Sequence, residues 1–455
     1  MLIRQHAVGD LACALVPGGV MVEIDPDMQA ALTRTAELVA AADRPIFEAT
    51  FAHDGVLVRV DILIPHRKHN GTVWDIAEVK SSGSAKDYHK GDLATQLWVI
   101  RQNGLNVASA AIRHIDTSFV LQTVGNYDGI FTDTSLLEEI GDVADGRAKI
   151  VGEIREMLSG DEPFCATGEH CSSPFSCEFI NHCSLDESAK PEWPIAELPN
   201  SGRKLADKWS EKGITDIRDL PEDNGLNSLH TRIWQSLVGG EPYRDAGGAK
   251  ADTANWAYPW IWLDFETIAF AIPKWVGTKP YSQIPFQYSA HIETRDGSIS
   301  HIEALDLSGD DPRAAIAASL AQLPASGTVI AWNAGFERRC LRDLAAAIPE
   351  HAEALLSLAD RTVDLLPVTK ANYYHPDQRG SFSIKAVLPT LLPELDYSAL
   401  EVKDGGNAQL AYFEAVDPDC TPERRQAIRA ALEAYCERDT WAMVAIYRSL
   451  IGETA

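Results

Sequence analysis

The sequence predicts a mixed α/β protein: two α/β domains joined by a short helical connector. Three observations carry that reading. Residues 1–160 alternate helical and strand-like patterns. Residues 184–250 break into short amphipathic pieces separated by Pro and Gly, and a polar, Gly-rich run, GGEPYRDAGGAKADTAN, covers 239–255. At residue 256 an apolar strand, AYPWIWLDFETIAF, opens a second α/β pattern. The domains are therefore placed at 1–185, 186–250 and 251–455, consistent with a prior of roughly 150 residues per domain.

In the first domain, Pro26 and Asp27 open a helical pattern that is followed through to IFEATF, which puts Glu48 in that helix. GVLVRVDILIP and TVWDIAEVKSS are rich in β-branched residues and predict strands. HKGDLATQLWVIRQNGL predicts a helix closed by Gly104, and VASAAIRHI and TSFVLQTV predict two more strands. PHRKHNG at 65–71 reads as a basic hairpin tip that could meet phosphate but is more simply solvated. In the connector, GRKLADKWSEKGI and DIRDL suggest a helix–turn–helix pair, with Gly202-Arg-Lys weakly similar to a DNA-binding helix-hairpin. In the last domain, HIEALDLS and GTVIAWN predict strands, and 312–323, 335–347 and 422–450 predict helices.

Composition bounds the function. Apolar residues at 45% and charged residues at 23% suit globular domains with real cores. The N-terminal segment has no long apolar core, since Gly9 and Asp10 interrupt it, and nothing approaches the ~20 apolar residues of a membrane span. The expected compartment is the reducing cytoplasm, with no membrane partner. A net charge of −26 argues against broad electrostatic binding of nucleic acid. It argues less against an enzyme that holds metal ions with carboxylates and touches few phosphates.

Four of the eight cysteines, Cys165, Cys171, Cys177 and Cys183, fall in one nineteen-residue window, CATGEHCSSPFSCEFINHC. Thiols gathered this tightly in a reducing compartment point to a metal or iron–sulfur site. Gaps of five residues throughout lean toward a cluster rather than zinc, whose sites favour gaps of two to four. Cys340, Cys420 and Cys436 read as buried thiols.

Two sets of acids carry chemistry. In the first, Asp61 in VRVDIL is followed seventeen residues later by Glu78 and Lys80 in AEVKS. Residues two apart on a strand share a face, so Glu78 and Lys80 project together. If the two strands pair, Asp61 lies beside Glu78, and two carboxylates can then hold Mg²⁺ or Mn²⁺. The lysine can orient or activate water and stabilise charge on a phosphate. Glu48 and Gln96 could complete the pocket. In the second set, WLDFETIAF places Asp264 and Glu266 on one strand face; Asn333 and Glu337 follow, one helical turn apart, and then Tyr435 and Asp439 on one helix face. Acids in so apolar a strand are costly without a partner. Four carboxylates can hold two metal ions about 3.5–4 Å apart, which clamp the attacking and leaving oxygens of a phosphodiester. Asp264 would bridge both metals, with Glu266, Glu337 and Asp439 around it; Tyr435 could position the water, and Asp364 is a further acid expected to stand behind the site.

The first set, with Glu48, Asp61, Glu78, Lys80 and Gln96 in order, resembles the RecB-like branch of the PD-(D/E)xK nucleases, which has a restriction-endonuclease-like mixed sheet. That resemblance implies a [4Fe–4S] cluster on cysteines just after the nuclease core, with Cys171, Cys177 and Cys183 matching the three downstream ligands. The fourth ligand normally lies upstream, where the chain offers only Cys13; Cys165 could substitute or be an ordinary thiol. The second set, Asp-x-Glu, a further acid, then Tyr-x-x-x-Asp, is similar to RNase H-like 3′–5′ exonucleases of the DEDD type. The family usually has Asp where this chain has Glu337. VGDLACALVPGGV, IFEATF, GEHCSSPFSCEFINHC, the DFET segment through KPYSQIPFQYSAHI, GSFSIKAVLP and YCERDT resemble a bacterial family that fuses the two domains.

The implied function is a metal-dependent nuclease, more exonuclease than endonuclease, acting on DNA that is ended or single-stranded. An RNA exonuclease working through the C-terminal domain, a nucleic-acid-binding or regulatory protein with decayed sites, and a cluster-based redox sensor are the alternatives. Trp275, Lys279, Tyr281 and Phe286 could stack bases or pack in the core.

Overall fold

The computed structural model describes residues 2–24, 27–184, 191–395 and 397–453, with side chains from residue 7 onward. Pro26, expected to open a helix, lies outside the described residues. The chain forms two compact units: residues 1–187 with 270–282, and residues 188–269 with 283–455. Both are mixed α/β.

The first unit runs α1 (Leu2–Ala14), β1 (Val20–Met21), α2 (Met28–Ala41), β2 (Ile46–His53), β3 (Val56–Lys68), β4 (Gly71–Lys80), α3 (Asp87–Gln102), β5 (Val107–Ile115), β6 (Phe131–Ser135), α4 (Leu137–Asp145), α5 (Arg147–Ser159) and the single turn α6 (Ile180–Cys183). Its six strands lie in chain order, with parallel β1–β2 and β4–β5 pairs and antiparallel pairs elsewhere. Asp27 caps α2 by accepting the Ala30 N–H at 2.9 Å. One face of the sheet packs Ile46, Val60, Ile76 and Ile112 against Leu93, Leu97 and Ile100 of α3 and Ile140 of α4.

Two expectations fail here. Glu48 is not helical. Pro45 cannot continue a helix, so α2 ends at Ala41 and IFEATF, alternating aromatic and small residues, becomes β2. TSFVLQTV is not a strand: Asp116 accepts both the Ser118 N–H (2.8 Å) and hydroxyl (2.6 Å), which turns the chain at once. Leu121 instead exchanges backbone hydrogen bonds with Gly277 (2.8 Å) and Thr278 (3.0 Å), in the 270–282 segment that belongs to this unit.

The second unit runs α7 (Gly202–Ser210), α8 (Ser228–Gly239), β7 (Tyr243–Arg244), α9 (Ala246–Asp252), β8 (Trp260–Ile268), β9 (Ile284–Glu293), β10 (Ile299–Leu305), α10 (Arg313–Leu320), β11 (Thr328–Ala331), α11 (Gly335–Ala347), α12 (Ala352–Asp360), β12 (Thr362–Asp364), α13 (Leu365–Asn372), β13 (Tyr373–Tyr374), α14 (Ile384–Leu391), α15 (Gly405–Ala415) and α16 (Pro422–Leu450). Its main sheet has the order β10-β9-β8-β11-β12: an antiparallel meander of three strands, then two strands parallel to β8. One face carries α10, α11 and α12, where Ile316, Leu341 and Leu355 meet Ile261, Leu263 and Tyr288. The long helix α16 crosses the other face.

The connector is not a free-standing piece. Ile195, Trp209, Ile217 and Ile233 pack with Tyr374 and Phe382 of the second unit. The run expected to be a linker contains α9 and β7, which pairs with β13. The second half of the supposed helix–turn–helix is only a three-residue 3₁₀ turn, Ile217–Asp219.

The stretch through Phe286, expected as a Pro-rich loop after the DFET strand, becomes the strand β9 from Ile284 onward, because β8 and β10 pair with it on both sides. The strand is buried along its whole length. Its polar residues face α16 and each finds a partner: Gln287 Nε2 donates to the Leu432 carbonyl (2.9 Å), Ser289 and His291 meet the Thr440 hydroxyl (2.8 Å each), and Glu293 pairs with Arg448 (3.0 Å). Phe286 is fully buried against Tyr412 of α15, and Trp275 is buried as well, so neither is free to stack a base; Lys279 is exposed.

Two candidate carboxylate sites

The first site lies where β3 and β4 begin to part. Ile62 opposes Ala77 in the antiparallel ladder, which carries Asp61 to the side of Glu78. The Asp61 carboxylate accepts the Val79 N–H at 2.6 Å. Glu78 is held at both oxygens, by Lys80 Nζ at 2.9 Å and by Gln96 Nε2 at 2.6 Å from α3. Lys80 also reaches Asp92 at 3.3 Å. Glu48 sits in β2 with φ of 55°, a left-handed conformation uncommon for a residue with a side chain. It drops out of the β2–β3 register, which passes from Phe47–Ile62 to Ala49–Val60, and its carboxylate is held by Arg59 Nε at 2.8 Å.

All four charged groups expected from the sequence, Glu48, Asp61, Glu78 and Lys80, line one cleft of about 710 Å³. Gln96 is buried behind Glu78. Burial, then the charges of Glu78 and Glu48, push the Asp61 carboxyl well above the carboxylate range; the Val79 N–H opposes them. Burial pulls the Lys80 ammonium down, but Glu78 and Asp92 outweigh it and hold the group above its ordinary value. The lysine is thus a firm cation. Asp92 and His89 were not foreseen. His89 is buried at the cleft, and burial followed by the Lys80 charge lowers its pKa. Cys13 lines the same cleft, and burial followed by Asp61 and Glu48 pushes its thiol up to about 11.

The second site is denser. Among the described residues, one group of three His, Cys, Asp or Glu side chains offers ligand atoms all within 4.8 Å of one another: Asp264, Glu266 and Asp439. The alternation of β8 puts Asp264 and Glu266 on one face, and α16 brings Asp439 over them. Asp264 and Asp439 line a cleft of about 530 Å³ with Asn333, Lys385 and Tyr435. Asp439 accepts the Tyr397 hydroxyl at 2.6 Å. Lys385 Nζ donates to the Tyr435 hydroxyl at 3.0 Å.

Burial dominates the electrostatics of this site. It raises Asp264 well above the carboxylate range, with Asp439, Glu266 and Glu337 adding to it. Burial, then Asp439, pushes Glu266 up to about 8. Asp439 is raised by burial, against hydrogen bonds from Tyr397 and Tyr435 and the charge of Lys385. Tyr397 and Tyr435 are held far above the phenol range by burial and then by Asp439.

A domain of unknown function, DUF2779, matches residues 261–383. That match covers β8 to the start of α14, about a quarter of the chain, and contains Asp264, Glu266 and Glu337 but not Tyr435 or Asp439. No curated protein and no solved structure matches the chain.

Within the DUF2779 segment, Glu337 stands in the first turn of α11, buried, with Oε2 lacking a partner among the described residues. Burial, then Asp364, pushes it up to about 8. Its charge reaches Asp264, yet it lies outside the 4.8 Å group. Asp364 accepts the Asn333 N–H at 3.0 Å and caps α13, so it supports the turn after β11 rather than lining the cleft. Asn333 lines the cleft with φ of 66°, which Asn tolerates better than most side chains. Lys385, at the N-terminus of α14, is the functional residue that sequence reasoning missed. Its stretch, GSFSIKAVLP, drew attention as a whole, but nothing local marks a lysine that will meet a tyrosine fifty residues away.

The cysteine run is looser. All eight cysteines are free thiols, and no three of the four in the run lie within 4.8 Å of one another. The Cys183 thiol is raised by burial and then by the charges of Cys165, Cys177 and Cys171. Cys171 is buried and Cys165 exposed; Cys165 Sγ lies 3.6 Å from His170 Nε2, a further donor that the sequence reading passed over. Of the remaining thiols, Cys340 and Cys436 are buried as expected, whereas Cys420 is partly exposed. No described helix is long and apolar enough to cross a membrane.

Proposed function

We propose that the protein is a metal-dependent nuclease with two active sites, a RecB-like one in the first unit and an RNase H-like, exonuclease-type one in the second. The observation that carries this reading is the trio Asp264, Glu266 and Asp439. Three carboxylates within 4.8 Å of one another, mostly buried, are unfavourable as they stand. A divalent cation relieves that repulsion, and hard oxygen donors suit Mg²⁺ or Mn²⁺. Both units also have the mixed sheets that the reading requires.

Bound metal would polarise a phosphodiester and lower the pKa of water. The residues supply the rest. In the first site Asp61 and Glu78 would hold the metal, and Lys80, held as a cation, donates to a phosphate oxygen and stabilises charge there rather than taking a proton from water. In the second, the Tyr435 hydroxyl accepts from Lys385 and donates to Asp439, and its remaining lone pair can accept from a water and so orient it. The water oxygen loses a proton to solvent and forms the new bond to phosphorus as a bridging P–O bond breaks, and the leaving oxygen takes a proton back from solvent. DNA, ended or single-stranded, is the proposed substrate, with RNA at the second site the nearest variant. The thiols of Cys165, Cys171, Cys177 and Cys183 are the proposed holders of a [4Fe–4S] cluster, although they do not form a closed cage by themselves.

A second reading, a nucleic-acid-binding or regulatory protein with a decayed C-terminal site, is favoured by Glu337 standing outside the trio and by the net charge of −26. Cleavage of end-labelled DNA and RNA with Mg²⁺ or Mn²⁺ separates the two, with wild type compared against Lys80→Ala and Asp264→Ala. Wild type that cuts neither polymer, or two variants that both cut at full rate, defeats the nuclease reading.

A further inference from the structure

The cysteine run does more than follow the first site in sequence. The Cys177 N–H donates to the Cys171 carbonyl at 2.8 Å, closing a small loop that displays Phe175. Phe175 is 66% exposed, yet it lines the same cleft as Asp61, Glu78 and Lys80. There it meets Tyr88, from the first turn of α3, in an edge-on contact with ring centroids 5.2 Å apart. Tyr88 is 41% exposed and is backed by His89 at 4.4 Å. Two large aromatic side chains left open at the rim of a carboxylate cleft give up burial that a packed rim would have gained. The first turn of α3 is preceded by Lys86, also exposed.

We infer that Phe175 and Tyr88 form a stacking platform for an unpaired base, gripping a single strand beside the first carboxylate site. This deepens the nuclease reading and rests on it. A flat ring face open to water takes any base, since every base has a π-face. A base in a duplex keeps both faces against its neighbours, so the platform selects single-stranded or frayed ends. It also answers the charge objection: a chain this acidic gains little from phosphates and can hold a strand through its bases, with few counterions released. The Cys171–Cys177 backbone hydrogen bond fixes the short loop from which Phe175 projects.

The test is fluorescence anisotropy with a labelled oligothymidylate and, in parallel, an abasic strand of equal length, using full-length protein in Ca²⁺ to suppress cleavage. Phe175→Ala and Tyr88→Ala should each weaken oligothymidylate binding about tenfold or more. Neither should alter binding of the abasic strand, and Phe175→Trp should retain wild-type affinity. Circular dichroism on each variant guards against a folding defect, which is not expected at exposed positions. Alanine variants that bind oligothymidylate like wild type, or that lose affinity equally for the abasic strand, overturn the platform while leaving the nuclease reading intact. Wild type that binds neither strand, yet still cleaves, also removes the platform. Wild type that neither binds nor cleaves removes both readings.

Discussion

In the first site every carboxylate already has a protein partner: Arg59 for Glu48, the Val79 amide for Asp61, Lys80 and Gln96 for Glu78. In the second, Asp264, Glu266 and Asp439 face one another, helped by two tyrosine hydroxyls and the charge of Lys385. The same donor type is therefore presented in two electrostatic states. An arriving cation must displace internal hydrogen bonds and ion pairs in the first site. In the second it meets groups that burial has pushed toward the protonated form and must release their protons. The first cleft is balanced by its own charges, whereas the second sets carboxyls against burial and one another, a conflict that a bound cation would relieve.

The largest effect that can break this comparison is loss of chemistry at one site alone. Asp264→Asn should reduce cleavage by the second site at least a hundredfold, and Lys80→Met should do the same for the first, because each removes a group aimed at developing or bound charge. Single-turnover assays on end-labelled strands measure it; a variant that silences both activities would show that the sites are not independent.

Next comes thermal stability with metal. At a hundredfold excess over Kd, a cation that binds only the folded chain adds about 2.7 kcal/mol. We expect the Mn²⁺-induced rise in Tm to shrink in Asp264→Asn by more than it shrinks in Asp61→Asn, because the denser carboxylate trio gains more from the cation. Without metal, Asp264→Asn should melt higher than wild type near neutral pH, since it removes a carboxyl whose ionisation burial and its neighbours oppose.

The pH dependence follows in size. Glu266 and Glu337 have folded-state values raised to about 8. A raised carboxyl contributes stability that is fully present below its unfolded value, near 4.5, and is lost as pH rises through the folded one. The metal-free Tm should therefore fall from about pH 5 to about pH 8, and the stabilisation by Mn²⁺ should grow over the same window. A flat Tm profile in calorimetry would contradict the burial argument.

Smaller again is Lys385→Met. Its cation lowers Asp264, Glu266 and Asp439, so removing it should move the pH midpoint for metal binding toward alkali. The rate should fall about tenfold, as for other groups that orient a metal site from behind. Smallest is Thr440→Val, which strips hydroxyl partners from Ser289 and His291 and should cost ~1–2 kcal/mol in denaturant unfolding with little change in metal binding.

Much of this molecule was legible in its amino acids. Asp264 and Glu266 stood out because acids in so apolar a strand demand a reason, and Glu78 with Lys80 because strand alternation must place them together. The helices 335–347 and 422–450 ran as expected. Glu48 was found as a residue but not as a conformation: Pro45 ends the helix, and only pairing with β3 reveals the left-handed turn that brings its carboxylate in. The strand β9 escaped because Pro280 and Pro285 suggest a loop, whereas pairing with β8 and β10 and cover from α16, which supplies partners to its polar residues, make it a buried strand.

By itself, the sequence determined which residue types share a strand or helix face, where helices stop, and that carboxylates and thiols are concentrated in three places. These are local matters, set by backbone periodicity, proline and caps. Tertiary structure alone decided that Asp439 closes on Asp264 and Glu266, that Glu337 stands apart, that Lys385 reaches Tyr435, and that Phe175 turns into the first cleft. Each of those depends on segments remote in the chain packing at ångström distances, and no periodicity within one segment encodes the approach of another.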